Sequence, residues 1–172
     1  DQNIVVHQAK TWAHLFKLID ENRFEFSKSI ATELHNIAGK EEAFEWGVFR
    51  SGNVSIGGSE YEPPSPDKLD ALWLETESQI DQIEDVYDKA IAALLQMARA
   101  HFFWDVNKRM GRFMMNGILL HAGYPVINVP VRKQLEFNTL MLEFYSSNDM
   151  KKMSRFLRNC LPEKIIANFR KQ

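Results

Sequence analysis

The chain is short of several things, and each shortage removes a class of function. It has a single cysteine, Cys160, among 172 residues. An intramolecular disulfide and a C-x-x-C zinc site are both excluded, and a reducing compartment is the default expectation. No stretch approaches the ~20 consecutive apolar residues of a membrane-spanning helix. The opening Asp1-Gln2-Asn3 lacks the basic and apolar regions of a secretion signal, so a cytoplasmic protein is expected. Neither charge sign is in excess, with 21 Lys and Arg against 23 Asp and Glu. That balance argues against direct nucleic-acid binding over a whole surface and leaves room for a local phosphate pocket. No repeat, low-complexity tract or Gly/Ser-rich linker divides the chain. One domain over residues 1–172 is expected, with its core at about 25–160 and helical extensions at both ends.

Most of what is present reads as amphipathic helix. Trp12, Leu15, Phe16 and Ile19 form one apolar stripe; Phe26, Ile30, Leu34 and Ile37 form another. Asn22 separates them and Ala38-Gly39 ends the second. Ser65-Pro66-Asp67 opens a helix whose buried face is Leu69, Leu72, Trp73 and Ile80. The next stripe, Tyr87, Ala90, Ile91, Leu94, Met97 and Ala98, arrives at His101. A further helix starts near Asn107, buries Met110, Phe113, Met114, Gly117 and Ile118, and stops at Gly123-Tyr124-Pro125. Helices are also expected over 131–146, 149–160 and 162–169. The exception is residues 48–61, rich in glycine and β-branched residues and followed by Pro63-Pro64. Here the composition predicts a β-hairpin or extended loop leaning on the helices. The fold class is therefore all-α, a helical bundle with one β-hairpin flap.

The chemistry is concentrated in His101-Phe102-Phe103-Trp104-Asp105-Val106-Asn107-Lys108-Arg109-Met110-Gly111-Arg112. A histidine ends one helix, a carboxylate follows four residues later, and a new helix begins with Lys108, Arg109 and Arg112 near its start. Free N–H groups and the positive dipole end favour an anion there. Arg109 and Arg112, three apart, share a face opposite the Met110/Phe113/Met114 stripe. A phosphate chain over that helix end meets backbone donors, two guanidinium forks and an ammonium. Asp105 is suited to Mg²⁺ shared with phosphate oxygens, and His101 to general-base work on a hydroxyl. Taken singly, each residue also has a plain structural reading. A histidine ends many apolar helices, and paired arginines are commonly a solvated face. His101 and Asp105 as zinc ligands lack further companions. On these residues alone, phosphate chemistry and a structural helix junction stay level.

The same segment resembles the signature of the Fic family, His-x-Phe-x-(Asp/Glu)-Gly-Asn-(Gly/Lys)-Arg-x-x-Arg. His101, Phe103, Asp105, Asn107, Lys108, Arg109 and Arg112 match it in register. Upstream, Phe49-Arg50, then Val54, Ile56-Gly57-Gly58 and Pro63-Pro64, are similar to the hairpin flap of that family. The resemblance implies a protein adenylyltransferase that moves AMP from ATP to a Ser, Thr or Tyr hydroxyl of a target protein. It implies His101 as base, Asp105 as the Mg²⁺ ligand, and Phe103 as a core anchor. Asn107 with its neighbouring backbone becomes an anion hole, and Arg109 and Arg112 contact the phosphate chain, Arg112 at its γ end. Val54, Ser55, Ile56, Gly57, Gly58 and Ser59 pair with a target segment by strand addition.

Two positions depart from the pattern. Val106 stands where glycine is usual, so either the backbone there keeps negative φ or the anion hole is distorted. Lys108 is shared with the Doc branch, which resembles protein kinases and transfers the γ-phosphate, although that branch usually lacks the second arginine found here as Arg112. A kinase, and a non-catalytic nucleotide- or protein-binding module, are the alternative readings. The inhibitory pattern (Ser/Thr)-x-x-x-Glu-(Gly/Asn) of many relatives is met only in part, by Ser29 and Glu33 before Leu34, and by Ser154 with Arg158 in place of glutamate. Inhibition by a segment of this chain is thus not supported. An antitoxin-like inhibitor protein and self-association stay open as partners, and no membrane is expected.

Overall fold

The computed structural model describes residues 2–169, without the side chain of Phe169. Eight α-helices follow in order: α1 (Gln2–Asp20), α2 (Lys28–Ala38), α3 (Leu69–Asp81), α4 (Val86–Ala100), α5 (Asn107–His121), α6 (Gln134–Ser147), α7 (Lys151–Arg158) and α8 (Glu163–Phe169). Short 3₁₀ turns at Pro66–Lys68 and Val131–Lys133 lead into α3 and α6.

The core forms around α4. Its alanines, Ala90, Ala92, Ala93, Ala98 and Ala100, allow close neighbours all round, and ten of its residues are buried. Asp85 caps it, its carboxylate accepting from the Asp88 N–H at 2.8 Å. α4 packs chiefly against α5, with α3 and α7 on other sides. The α4–α5 approach depends on Gly111, where a Cβ would lie 2.9 Å from the Leu94 carbonyl oxygen. α1 closes the outer side of α5, with Trp12 edge-on to Phe113 at 5.1 Å. α1 begins at Gln2, well before its apolar stripe; its first turns expose Val5 and Val6 and bury almost nothing, so no buried period marks that start.

The expected β-hairpin flap is absent: among the described residues there is no strand. Its first arm pairs with the segment between α4 and α5 instead, the Arg50 N–H donating to the Phe102 carbonyl at 2.9 Å. The turn is local, with Ser59 N–H donating to the Ile56 carbonyl at 3.2 Å and Gly58 at φ +79°. On the return arm, Pro63 and Pro64 have no N–H to donate. Phe49, Ile56 and Tyr61 dock on the core, and apolar anchorage replaces cross-strand pairing. The fold is all-α with one long extended loop.

Candidate active site

α4 stops because His101 turns left-handed, at φ 48° and ψ 61°. Asn107 closes the elbow that follows. Its side chain accepts from the Phe103 N–H at 3.0 Å and donates to the Phe103 carbonyl at 2.8 Å. Both phenylalanines, Phe102 and Phe103, are fully buried, so the elbow is anchored and its remaining side chains turn to one cavity. That cavity has a volume of about 630 Å³. His101, Asp105, Asn107, Lys108, Arg109 and Arg112 line it from the elbow and α5, Val54 to Gly57 line it from the loop. Gly58 and Ser59 sit past the lining, in the turn.

Val106 settles one expectation against negative φ. It adopts the left-handed conformation at φ 68° and ψ 18° while 4% exposed. A β-branched residue there carries strain of about 1–3 kcal/mol. The turn keeps the backbone that glycine would take, and the first N–H groups of α5 have no intrahelical acceptor.

The tautomer of His101 is set by its own helix. Nδ1–H donates to the Ala98 carbonyl at 2.5 Å, which leaves Nε2 as the basic nitrogen. Burial holds its pKa below the ordinary histidine value, and the charges of Arg50 and Lys108 push the same way. Asp105 is exposed, with Oδ1 accepting from the Val106 N–H at 2.7 Å and Oδ2 left over.

The two arginines differ. Arg109 is held in a two-point ion pair by Glu42, with Nη1 to Oε2 at 3.0 Å and a closer contact between Nη2 and Oε1. Arg112 has no carboxylate partner among the described residues, and its buried Nε has no hydrogen-bond partner. Its guanidinium lies 4.4 Å from the Phe137 ring centre, and burial followed by Arg109's charge holds its pKa down. Glu33 is engaged by His14 at 2.9 Å and Arg23 at 3.7 Å instead.

Three sets of residues escaped the sequence reading. His35 is fully buried, donates from Nε2 to the Asp105 carbonyl at 3.2 Å and accepts the Gly47 N–H on Nδ1 at 3.0 Å. Glu42 lies 67 positions from Arg109, too far for any local pattern to pair them. The third set is the α6 face Gln134, Asn138, Met141 and Tyr145, which lines the cavity with Leu142. Its i, i+4, i+7, i+11 spacing was the available signal.

A family model described as Fic/DOC matches residues 25–119. A protein adenylyltransferase Fic of Drosophila mojavensis is 31% identical over 135 residues, covering 74% of this chain and 26% of that protein. The same-named protein of Drosophila grimshawi is 31% identical, over 74% of this chain and 27% of its own length. The chain thus spans about a quarter of the curated relatives it matches. Among solved structures, a fragment of Fic-1 from C. elegans superposes with a TM-score of 0.77 at 19% identity, over 98% of this chain and 52% of that one. A Fic family protein from Desulfovibrio desulfuricans G20 gives 0.74 at 17%, over 95% and 53%. With more than half of its length under the family match and six of the seven matched signature residues gathered on one cavity, the chain belongs to the Fic/DOC family.

Proposed function

We propose that this chain is a protein adenylyltransferase domain, transferring AMP from ATP to a Ser, Thr or Tyr hydroxyl of a target protein. The observation that carries the reading is the pairing, on one cavity, of a histidine with a free basic Nε2 and an arginine whose buried Nε lacks a partner. Such an orphaned donor marks a place for an acceptor, and a triphosphate supplies acceptors in line with the hydroxyl's own site. Arg112 and Lys108 hold the phosphate chain with the free N–H groups at Asn107. Arg109, already paired with Glu42, is the lesser contact. The apolar side chains of Met141 and Leu142, on α6, suit a purine.

His101 Nε2 takes the hydroxyl proton as the oxygen attacks the α-phosphorus. The bond from that phosphorus to the bridging oxygen breaks, and pyrophosphate leaves with the bond electrons. The backbone N–H groups and Arg112 stabilise the charge that develops. Asp105 has one oxygen uncommitted, and no cluster of three or more metal-ligating side chains exists among the described residues. That donor set fits Mg²⁺, which is bound by one or two carboxylates together with phosphate oxygens. When bound, the ion would neutralise charge on the phosphates. Residues 54–57 line the cavity and, with the turn at 58–59, dock the target backbone there.

In this reading the chain forms one domain with its core at about 25–160. It works in the cytoplasm, under an antitoxin-like inhibitor protein, and is free to self-associate. No described helix is long and apolar enough to cross a membrane. Incubation with ATP labelled at the α- or γ-phosphate tests the reading. Protein label from the α position is expected. Label from the γ position alone would make the chain a kinase, and no label from either would make it a binding module.

A further inference from the structure

Arg50 is 2% exposed and has no carboxylate partner among the described residues. A buried charge of this kind is costly unless polar groups surround it. Here four backbone carbonyls do so. Nε donates to His101 at 2.5 Å, Nη1 to Gly52 at 2.8 Å, and Nη2 to Ala100 at 3.3 Å and to Pro64. Two of these carbonyls end α4, where a helix leaves its last acceptors unmatched and favours a cation. The other two stand at the two ends of the loop that carries Val54 to Ser59. The arginine backbone N–H adds a fifth tie, to Phe102.

We infer that Arg50 is a positioning residue that sets the register between the target-docking loop and the His101 base. One rigid fork gathers three separate stretches of backbone. Lysine carries the charge but has only a flexible point of attachment and cannot span all four. The left-handed turn at His101 depends on the same contact, because its carbonyl is the one held by Nε. The groups assigned to nucleotide, Lys108, Arg112 and the start of α5, are not among the hydrogen-bond partners of Arg50. Arg50 therefore acts on the attack by hydroxyl and leaves nucleotide affinity alone. The kinetic part of this inference rests on the adenylyltransferase reading.

The test uses Arg50→Lys and Arg50→Met. With α-labelled ATP and a lysate as the source of acceptor protein, the maximal rate of labelling is expected to fall roughly 10–100-fold for methionine, the scale of a misplaced reactant. A smaller drop is expected for lysine, and the KM for ATP should stay within about 3-fold of wild type. Amide hydrogen exchange should quicken in residues 51–63 and 101–103 and stay unchanged in α1 and the body of α5. An unchanged maximal rate, an ATP KM that rises as far as the rate falls, or faster exchange throughout the chain would each overturn the role. If methionine prevents folding, the lysine variant carries the same comparison. Should the wild-type chain label nothing, the adenylyltransferase reading fails by itself. Exchange in residues 51–63 then still decides: unchanged in both variants, it refutes Arg50 as the tie.

Discussion

Two stretches meet at the cavity and treat their polar groups in opposite ways. In residues 39–64 the groups are matched. Arg50 is wrapped by four carbonyls, and Glu45 holds both the Trp104 indole N–H and the Ser51 hydroxyl, at 3.1 and 3.2 Å. In the elbow, residues 101–112, groups are left over. Arg112 Nε has no partner, one Asp105 oxygen and one His101 nitrogen are uncommitted, and Val106 holds a backbone that its side chain resists. Folded proteins match nearly all their buried polar groups, and departures concentrate where a ligand completes the set. On the proposed function, the loop serves position and the elbow serves binding. Substitutions in the two should fail differently, one set in stability and the other in activity.

The largest effect is expected at His101. Replacing it with alanine should lower AMP transfer by ~10²–10⁴-fold, the usual contribution of a general base. ATP affinity, followed by nucleotide titration, should change little, because in the proposed reaction His101 acts on the target hydroxyl and not on ATP. The melting temperature should stay near wild type. A rate close to wild type would remove His101 from that role; a collapse in stability would move it to the structural side of the comparison.

His35 belongs to the matched side, and pH exposes it. Burial lowers its pKa from 6.5 to about 4 in the folded chain, while the unfolded chain keeps the ordinary value. Between these values the unfolded state holds more protons, so stability is complete above pH ~6.5 and falls as pH drops toward 4. The loss from this one group is on the order of 3 kcal/mol, at 1.36 kcal/mol per unit. Urea unfolding from pH 7 to 4 should show it. His35→Gln should be less stable at pH 7, since the Gly47 N–H loses its acceptor, and should have a shallower pH slope. An unchanged slope would mean that His35 is not held neutral.

How much of this was legible depends on the range of the forces involved. The stripes on α2 to α5 follow a 3.6-residue period set by burial, and each predicted helix exists within a few residues of its expected ends, apart from the start of α1. The signature at 101–112 is contiguous, and all its matched residues but the core-buried Phe103 share a cavity. The hairpin misled because β-branched and glycine-rich composition reports extended backbone and says nothing of its hydrogen-bond partner. Arg50 and Phe102 made that choice from 52 residues apart. Glu42 and His35 reach the site through tertiary contacts, of which a single sequence carries no sign; the spacing on α6 marks a common face and not the cavity it lines.

Arg112 and Arg109 test the same comparison inside one helix. Arg112→Ala should weaken ATP binding by about 10–150-fold, the loss of a charged hydrogen bond, and leave stability nearly intact because no partner is orphaned. Arg109→Ala should weaken ATP binding by less than about 10-fold and lower the melting temperature, since Glu42 is only 19% exposed and is left unpaired. Calorimetric titration and thermal melts on both variants check this. Equal losses of affinity with equal stability would erase the distinction between the arginines.

The smallest effect is expected where a large one would ordinarily be forecast. Val106 is 4% exposed, and burying a valine side chain contributes ~1.5–3 kcal/mol. Its left-handed backbone, φ 68°, costs about 1–3 kcal/mol, and glycine takes that conformation without strain. In Val106→Gly the two offset each other, and stability should move by less than about 1 kcal/mol. Ile91→Gly, in the negative-φ interior of α4, loses burial with nothing returned. It should cost more than about 3 kcal/mol, from the cavity and the poor helix propensity of glycine. Urea midpoints for the two variants, measured side by side, decide the matter. If Val106→Gly is as damaging as Ile91→Gly, the elbow stores no strain, and the valine is there for packing alone.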